Sequence, residues 1–172
     1  TVSLALGSYM LMAGGAAQTP QQGEALLRSA LENGSGLAKL RDMIAAQGGD
    51  ARVCDDVSLL PQAKVRRDVP ALAPGYLHRM DTTALGNTAQ RIGAGRREKT
   101  DIIDYSVGFV LNKRIGDAVQ PGDALATVYC KNEEDAAFAI HEIQSAIAIR
   151  PEQALPLKLI HAIVEVDRIT EC

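Results

Sequence analysis

The hydrophobic pattern of the chain changes character once, near residue 60, from helical spacing to short alternating runs. Val2 to Met12 is apolar on most faces and stops at Gly14-Gly15, which predicts a buried helix. The sequence enters this pattern directly and reads as a chain that starts inside a helix. Thr19-Pro20-Gln21-Gln22 predicts the next start, because Thr caps, Pro suits the first turn, and Gln22 sits three residues on to complete a capping box. Leu26, Leu27, Ala30 and Leu31 mark one side of that helix, which ends near Asn33-Gly34. A third helix is expected from Ser35 to Gln47, with Leu37, Leu40, Met43 and Ile44 recurring at helical spacing before Gly48-Gly49. From Asp50 to Pro61 the periodicity dissolves into polar residues and a Pro, a linker that sets the domain boundary. The expected domains are residues 1–64 and 65–172.

Beyond the boundary, Val65, Val69, Tyr76-Leu77 and Met80 alternate between Pro70 and Pro74-Gly75, the punctuation of short strands. Asp81-Thr82-Thr83 predicts a capped short helix carrying Leu85, Ala89 and Ile92, ended by Gly93-Ala94-Gly95. A basic loop from Arg96 to Thr100 leads to strand-like Ile102-Ile103 and Tyr105 to Leu111. Two turns, Gly116-Asp117 and Pro121-Gly122-Asp123, bracket Ala118-Val119-Gln120 and precede a strand at Leu125, Thr127, Val128 and Tyr129. Asn132 followed by Glu133, Glu134 and Asp135 starts a helix whose buried stripe is Ile140, Ile143 and Ile147. After Pro151 the pattern fits a final strand and an appended helix equally. The expected class is α+β: a helical segment, then a β-rich domain with a small mixed sheet.

Composition narrows this picture. Hydrophobic residues make up 47% of the 172, aromatics only 3% with no Trp, so the core must be aliphatic and closely packed. The net charge of −3 and the scattering of basic residues, apart from Arg66-Arg67 and Arg96-Arg97, argue against a nucleic-acid partner. No apolar run approaches the ~18 residues of a membrane span, and no charged segment precedes a cleavable apolar one, so the expectation is a cytoplasmic protein without a membrane partner. Cys54, Cys130 and Cys172 lack metal or redox spacing and read as reduced thiols.

The candidate chemistry is sparse. Gly93-Ala94-Gly95-Arg96-Arg97 invites a phosphate-loop reading, but it lacks the Lys-Ser/Thr ending and its glycines follow a helix where a phosphate loop opens one. A helix C-cap followed by a mobile basic loop is the expectation. Asp101 and Asp104, three apart in a strand-like stretch, would point to opposite faces, leaving one to hold a turn or pair with an Arg. His78, His141 and His161 fall on separate elements with no nucleophile arrangement, and His141 reads as a surface residue. The run from Gly108 to Leu125, strand, Gly-Asp, short apolar step, Gly-Asp, strand, is similar to the hammerhead turn of lipoyl and biotinyl carrier domains. Those carriers present an acceptor Lys at a hairpin tip, whereas Lys113 precedes the turn here and Lys131 follows the strand. A non-catalytic binding or carrier module of this architecture is the alternative reading.

Gly75-Tyr76 through Met80-Asp81-Thr82, then Leu85-Gly86, then Gly93-Ala94-Gly95-Arg96-Arg97 and Asp101-Ile102-Ile103-Asp104-Tyr105-Ser106-Val107-Gly108 resemble, in that order, the C-terminal domain of pyrimidine-nucleoside and thymidine phosphorylases. Leu4 to Met10, Ala45 to Asp50 and Val57 to Pro61 resemble the same family upstream, so the likeness covers about positions 1 to 149. It implies the end of an α/β domain followed by an α/β-hammerhead domain. The activity implied is that of a pentosyltransferase of nucleoside salvage, in which phosphate displaces the base of a pyrimidine nucleoside to give free base and (deoxy)ribose 1-phosphate. Phosphate is a co-substrate there, and no cofactor is implied. The family's Ser-Gly-Arg-Gly-Leu phosphate signature and its nucleoside-holding His, Arg, Ser and Lys belong to the N-terminal portion, and none has a counterpart here, so no catalytic residue carries over. Some members hold a structural potassium ion with a Glu near the end of the helix matching the first one here, where this chain has Gly15. The family's dimer contacts lie mostly in its helical domain, which implies a homodimeric parent and a monomeric fragment. Gly95, Arg96, Arg97, Glu98 and Lys99 are the candidate cleft-closure loop.

Overall fold

The computed structural model describes residues 1–164 and 168–171. They form two compact units, one of residues 1–59 with the tail from Lys158, the other of Leu60–Leu157. Sequence places the first boundary a few residues later, between 64 and 65.

The first unit contains α1 (Val2–Ala13), α2 (Pro20–Glu32), α3 (Ser35–Ala46) and two short 3-10 turns, Ala51–Cys54 and Val57–Leu59, within the expected linker. α1 and α2 meet through small residues. A Cβ on Gly23 would stand 2.8 Å from the Ser8 Cα, and one on Gly7 would stand 2.7 Å from Leu27 Cδ1. Such close approach buries Ser8, whose hydroxyl donates to the Ala5 carbonyl at 2.7 Å. The expected burial of α1 is therefore confined to one side: Leu6 is 63% and Met10 73% exposed. A helix apolar all round needs neighbours all round, and α2 covers a single face. The start of α2 is as expected, with Thr19 Oγ1 accepting from the Gln22 amide at 3.2 Å, while the Gln22 side chain reaches one residue further back, to the Gln18 amide. Arg41 grips Asp55 through two bonds of 2.6 Å, fastening the 3-10 turn to α3.

In the tail of this unit β7 (Ala162–Val164) pairs antiparallel with β8 (Ile169–Glu171), which resolves the strand-or-helix ambiguity after Pro151 in favour of strands. Val166 lies outside the described residues.

The second unit comprises β1 (Val65–Pro70), β2 (Gly75–Met80), α4 (Thr82–Ala89), β3 (Gly108–Leu111), β4 (Ala118–Val119), β5 (Ala124–Cys130), α5 (Glu133–Ala146) and β6 (Ile147–Arg150). Its strands make two three-stranded sheets, ordered β1-β5-β3 and β4-β2-β6, and each pairing is antiparallel, which corrects the expected mixed sheet while keeping the α+β class. β5 is the central strand of its sheet and is buried at Leu125, Ala126, Thr127, Val128 and Cys130. The one polar side chain there, Thr127, is satisfied by Asn112 at 3.0 Å and Asp68 at 2.8 Å. Ala136, Ala139, Ile143 and Ala146 form the buried side of α5, and Ile147 is buried as the first residue of β6, beyond the helix.

The two Gly-Asp turns repeat one device. Gly116 and Gly122 take φ of 95° and 93°, a region glycine enters freely. In each turn the Asp carboxylate reaches back three residues, Asp117 accepting from the Arg114 amide at 2.7 Å and Asp123 from the Gln120 amide at 3.1 Å. Backbone bonds from Gly116 to the Leu77 carbonyl and from Gly122 to the Ala71 carbonyl then bind the turns to the β1–β2 segment.

In the β2–β6 ladder, Leu77 faces Ile149 and Arg79 faces Ala148, so His78 is an extra, bulged residue. The bulge lets Leu77 and Met80, three positions apart, both turn toward the core.

Candidate functional site

The loop singled out by sequence follows α4, whose start is capped by Asp81 accepting from the Ala84 amide at 3.0 Å. α4 runs into a wider π turn at Gln90–Ala94, and Gly93 breaks the helix with φ of 110°. Ile92 is fully buried and anchors this turn in the core. From Gly95 the chain is extended and then loops outward, leaving Arg96, Arg97, Glu98 and Lys99 exposed.

Three anchors hold the base of the loop. The Gln90 side chain donates to the Arg96 carbonyl at 2.5 Å. Asp101 Oδ2 accepts from the amides of Arg97 and Glu98 at 2.9 and 3.1 Å, and its own amide donates to the Glu98 carbonyl at 3.2 Å. Finally, the Asp104 amide donates to the Gly93 carbonyl at 2.9 Å, closing the loop. The amides of Glu98 and Arg97 stabilise the Asp101 carboxylate and hold its pKa below the ordinary value. Asp104 is held low by the Ser106 hydroxyl and amide, which both donate to Oδ1.

Both acids thus organise turns. Ile102 through Val107, expected to be strand-like, form no ladder; β3 begins at Gly108. The reason is that the side-chain and backbone bonds of Asp101 and Asp104 compete successfully with pairing. In consequence Ile102 and Tyr105 are 92% and 80% exposed, apolar groups presented beside a basic loop, which the strand reading missed. Their signal in sequence was the Asp-Ile-Ile-Asp-Tyr-Ser spacing, in which an Asp two before a Ser can form its own turn.

Gln90, Arg91, Gly93, Arg97, Asp101 and Ile102 line a polar concavity of about 350 Å3 at this loop. Arg91 stacks its guanidinium 4.4 Å above the Phe138 ring of α5, which fixes one cation at the rim. The amides of Arg97 and Glu98 already serve Asp101, so the cations offered outward are side chains, Arg96, Arg97 and Lys99, on exposed backbone. This arrangement suits contact with an anionic group arriving from outside, through charge-assisted bonds. Acid–base or nucleophilic chemistry has no matching geometry in it.

The other residues weighed from sequence stay apart. His78 and His141 lie on β2 and α5, and His161 on the tail. Lys113 lies 3.7 Å from Asp123 and Lys131 3.5 Å from Asp135. Cys130 is buried, and burial first, then Asp135 and Glu133, pushes its thiol pKa up. Cys54 is half-buried, and Cys172 lies outside the described residues. Among the described residues no group of three or more His, Cys, Asp or Glu could hold a metal ion, and no helix is long and apolar enough to cross a membrane.

Residues 76–150 match the family described as Pyrimidine nucleoside phosphorylase C-terminal domain. The chain is 38% identical over 161 residues to the pyrimidine-nucleoside phosphorylase of Bacillus subtilis (strain 168), covering 94% of this chain and 37% of that protein. It is 37% identical over 161 residues to that of Staphylococcus haemolyticus (strain JCSC1435), with the same coverage. Against the Geobacillus stearothermophilus enzyme it is 41% identical over 131 residues, 76% of this chain and 30% of the relative. The chain thus spans about a third of the length of these relatives, 37% of the first two and 30% of the third.

Proposed function

From the chain's membership of the pyrimidine-nucleoside phosphorylase family, of which it represents a C-terminal part, we propose that it serves a cytoplasmic, homodimeric enzyme that uses phosphate to cleave thymidine- or uridine-type nucleosides into free base and (deoxy)ribose 1-phosphate. The observation that carries this reading is similarity extending over 94% of the chain, through both of its compact units, to a protein named for that activity.

In this reading the chain supplies structure and a closing element, and the reacting groups come from elsewhere in the enzyme. Phosphorolysis requires donors held in place around the phosphate and the leaving base. The candidate loop holds exposed surface cations, and the chain by itself is inactive. Gly95, Arg96, Arg97, Glu98 and Lys99 form the loop that settles over the substrate cleft, its base fixed by Gln90, Asp101 and the Gly93–Asp104 bond. Arg96 and Arg97 supply the charge that favours the closed position over an anionic complex.

Phosphorolysis of thymidine and uridine, measured for the 172-residue chain and for an enzyme containing the complete polypeptide, tests the first part. The expected result is turnover by the complete enzyme alone; turnover by the 172-residue chain overturns it. For the loop, Arg96→Ala with Arg97→Ala in the complete enzyme is expected to lower kcat/KM at least tenfold. Unchanged kinetics would remove the loop from the cycle.

A further inference from the structure

A second polar concavity, of about 370 Å3, lies on the outer face of the β2–β6 ladder, lined by His78, Arg79, Ser145, Ala146, Ala148 and Arg150. The bulge creates it. Leu77 and Met80 turn inward, and the two residues between them, His78 and Arg79, are both left on the outer face. On β6 the alternation that sends Ile147 and Ile149 to the core sends Ala148 and Arg150 outward, so Arg79, paired with Ala148, stands beside Arg150. Ala148 contributes a short side chain between two long ones and leaves the hollow.

Its charge is of one sign: two guanidiniums and an imidazole line it, and no carboxylate does. Among the described residues Arg79 has one acidic neighbour, Asp81, at 3.7 Å, and the Arg79 side chain is 74% exposed, a loose pair that an incoming anion can displace. The Arg150 side chain has no ion pair among the described residues. His78 is held in place, with Nε2 2.6 Å from the Glu152 carbonyl; since that oxygen only accepts, Nε2 carries the proton. The Ser145 hydroxyl donates to the His141 carbonyl at 2.9 Å, which leaves its oxygen as part of the polar wall.

We infer that this concavity binds a phosphate dianion, free or esterified to a small sugar, with Arg79 and Arg150 as the two cations. Planar guanidiniums match phosphate oxygens in pairs. The hollow has room for an organic group behind the phosphate. The inference rests on this face alone, independently of the reaction proposed above.

The test is titration of the 172-residue chain with inorganic phosphate and, separately, ribose 5-phosphate, at ionic strength held constant with KCl. The His78 imidazole and Arg150 guanidinium resonances are the readout. Saturable shifts are expected with both probes. Affinity should fall about tenfold in Arg79→Gln and in Arg150→Gln and stay unchanged in Arg28→Gln, which removes a charge that does not line the concavity. Tighter binding of ribose 5-phosphate assigns the site to the ester; equal affinity assigns it to the phosphate group itself. Arg79 and Arg150 are exposed, so their amide spectra should match the parent; if one variant loses its fold, the other decides. Linear shifts, shifts reproduced by KCl alone, or an equal loss in Arg28→Gln overturn the inference.

Discussion

Asp101 shows how much one side chain can organise at the residue scale. It joins two amides across a loop that carries four charged residues in succession, Arg96 to Lys99. Its pKa is depressed in the folded chain, so the carboxylate's grip is complete above the ordinary Asp value of 3.8 and is lost as pH falls through the lower, folded value. The Arg97 and Glu98 amide resonances should therefore titrate together with a midpoint below 3.8. Asp101→Ala should abolish that titration and speed hydrogen exchange at both amides; a midpoint at or above 3.8 would contradict the assignment. Gly75 makes a different demand. Its φ is 146°, and a Cβ there would run into the Arg150 carbonyl oxygen across the ladder. Gly75→Ala should cost about 3 kcal/mol or more, a strained backbone added to a clash, read as a fall in the denaturation midpoint.

Among the elements, those with local instructions were legible from sequence. Thr19, Asp81 and Asn132 cap the helices they were expected to cap, each accepting from an amide three residues on. Asn132→Ala should cost about 1 kcal/mol by removing the bond to the Asp135 amide. Ile143→Ala should cost about 2–5 kcal/mol, since Ile143 is fully buried between α5 and the sheets. Urea denaturation of both variants checks the ordering; an Asn132 effect larger than the Ile143 effect would refute it. Elements whose state depends on distant partners were less legible. The apolar run at Ile102-Ile103 and Tyr105 has strand composition, but the turns of Asp101 and Asp104 claim its backbone. α1 has the composition of a buried helix, but burial depends on what surrounds it, which periodicity does not state. The candidate loop was legible from its glycines and charges, and a turn held by one of Asp101 and Asp104 was expected; the anchor Gln90 was not, because its partner is a backbone carbonyl.

The whole molecule divides by contact into two units, and the second, Leu60–Leu157, contains the complete core cluster from Val69 to Ile147. That core has few large side chains; Leu77, Ile92, Leu125 and Ile143 are its largest fully buried ones, with alanines filling the helix–sheet contacts. Close packing of small groups supports cooperative folding when backbone polar groups are paired, as the Gly-Asp turns and the Gln144 bond to the Pro70 carbonyl ensure. Residues 60–157 produced alone should fold, with a single unfolding transition and the near-ultraviolet and amide spectra of the same residues in the full chain. A collapsed species lacking dispersed amide resonances would show that the core needs the remainder.

His78 bears on how this sheet can change over time. On either side of it the ladder keeps one pairing phase, Tyr76 with Arg150 and Leu77 with Ile149, then Arg79 with Ala148 and Met80 with Ile147. Removing His78 would close these pairs into an unbroken alternation, Leu77 and Met80 still inward and Arg79 still outward. The strand can therefore spare this one position. A single-codon deletion there would be a rare kind of event, one that subtracts an imidazole from the protein's exterior and leaves the architecture behind it in register.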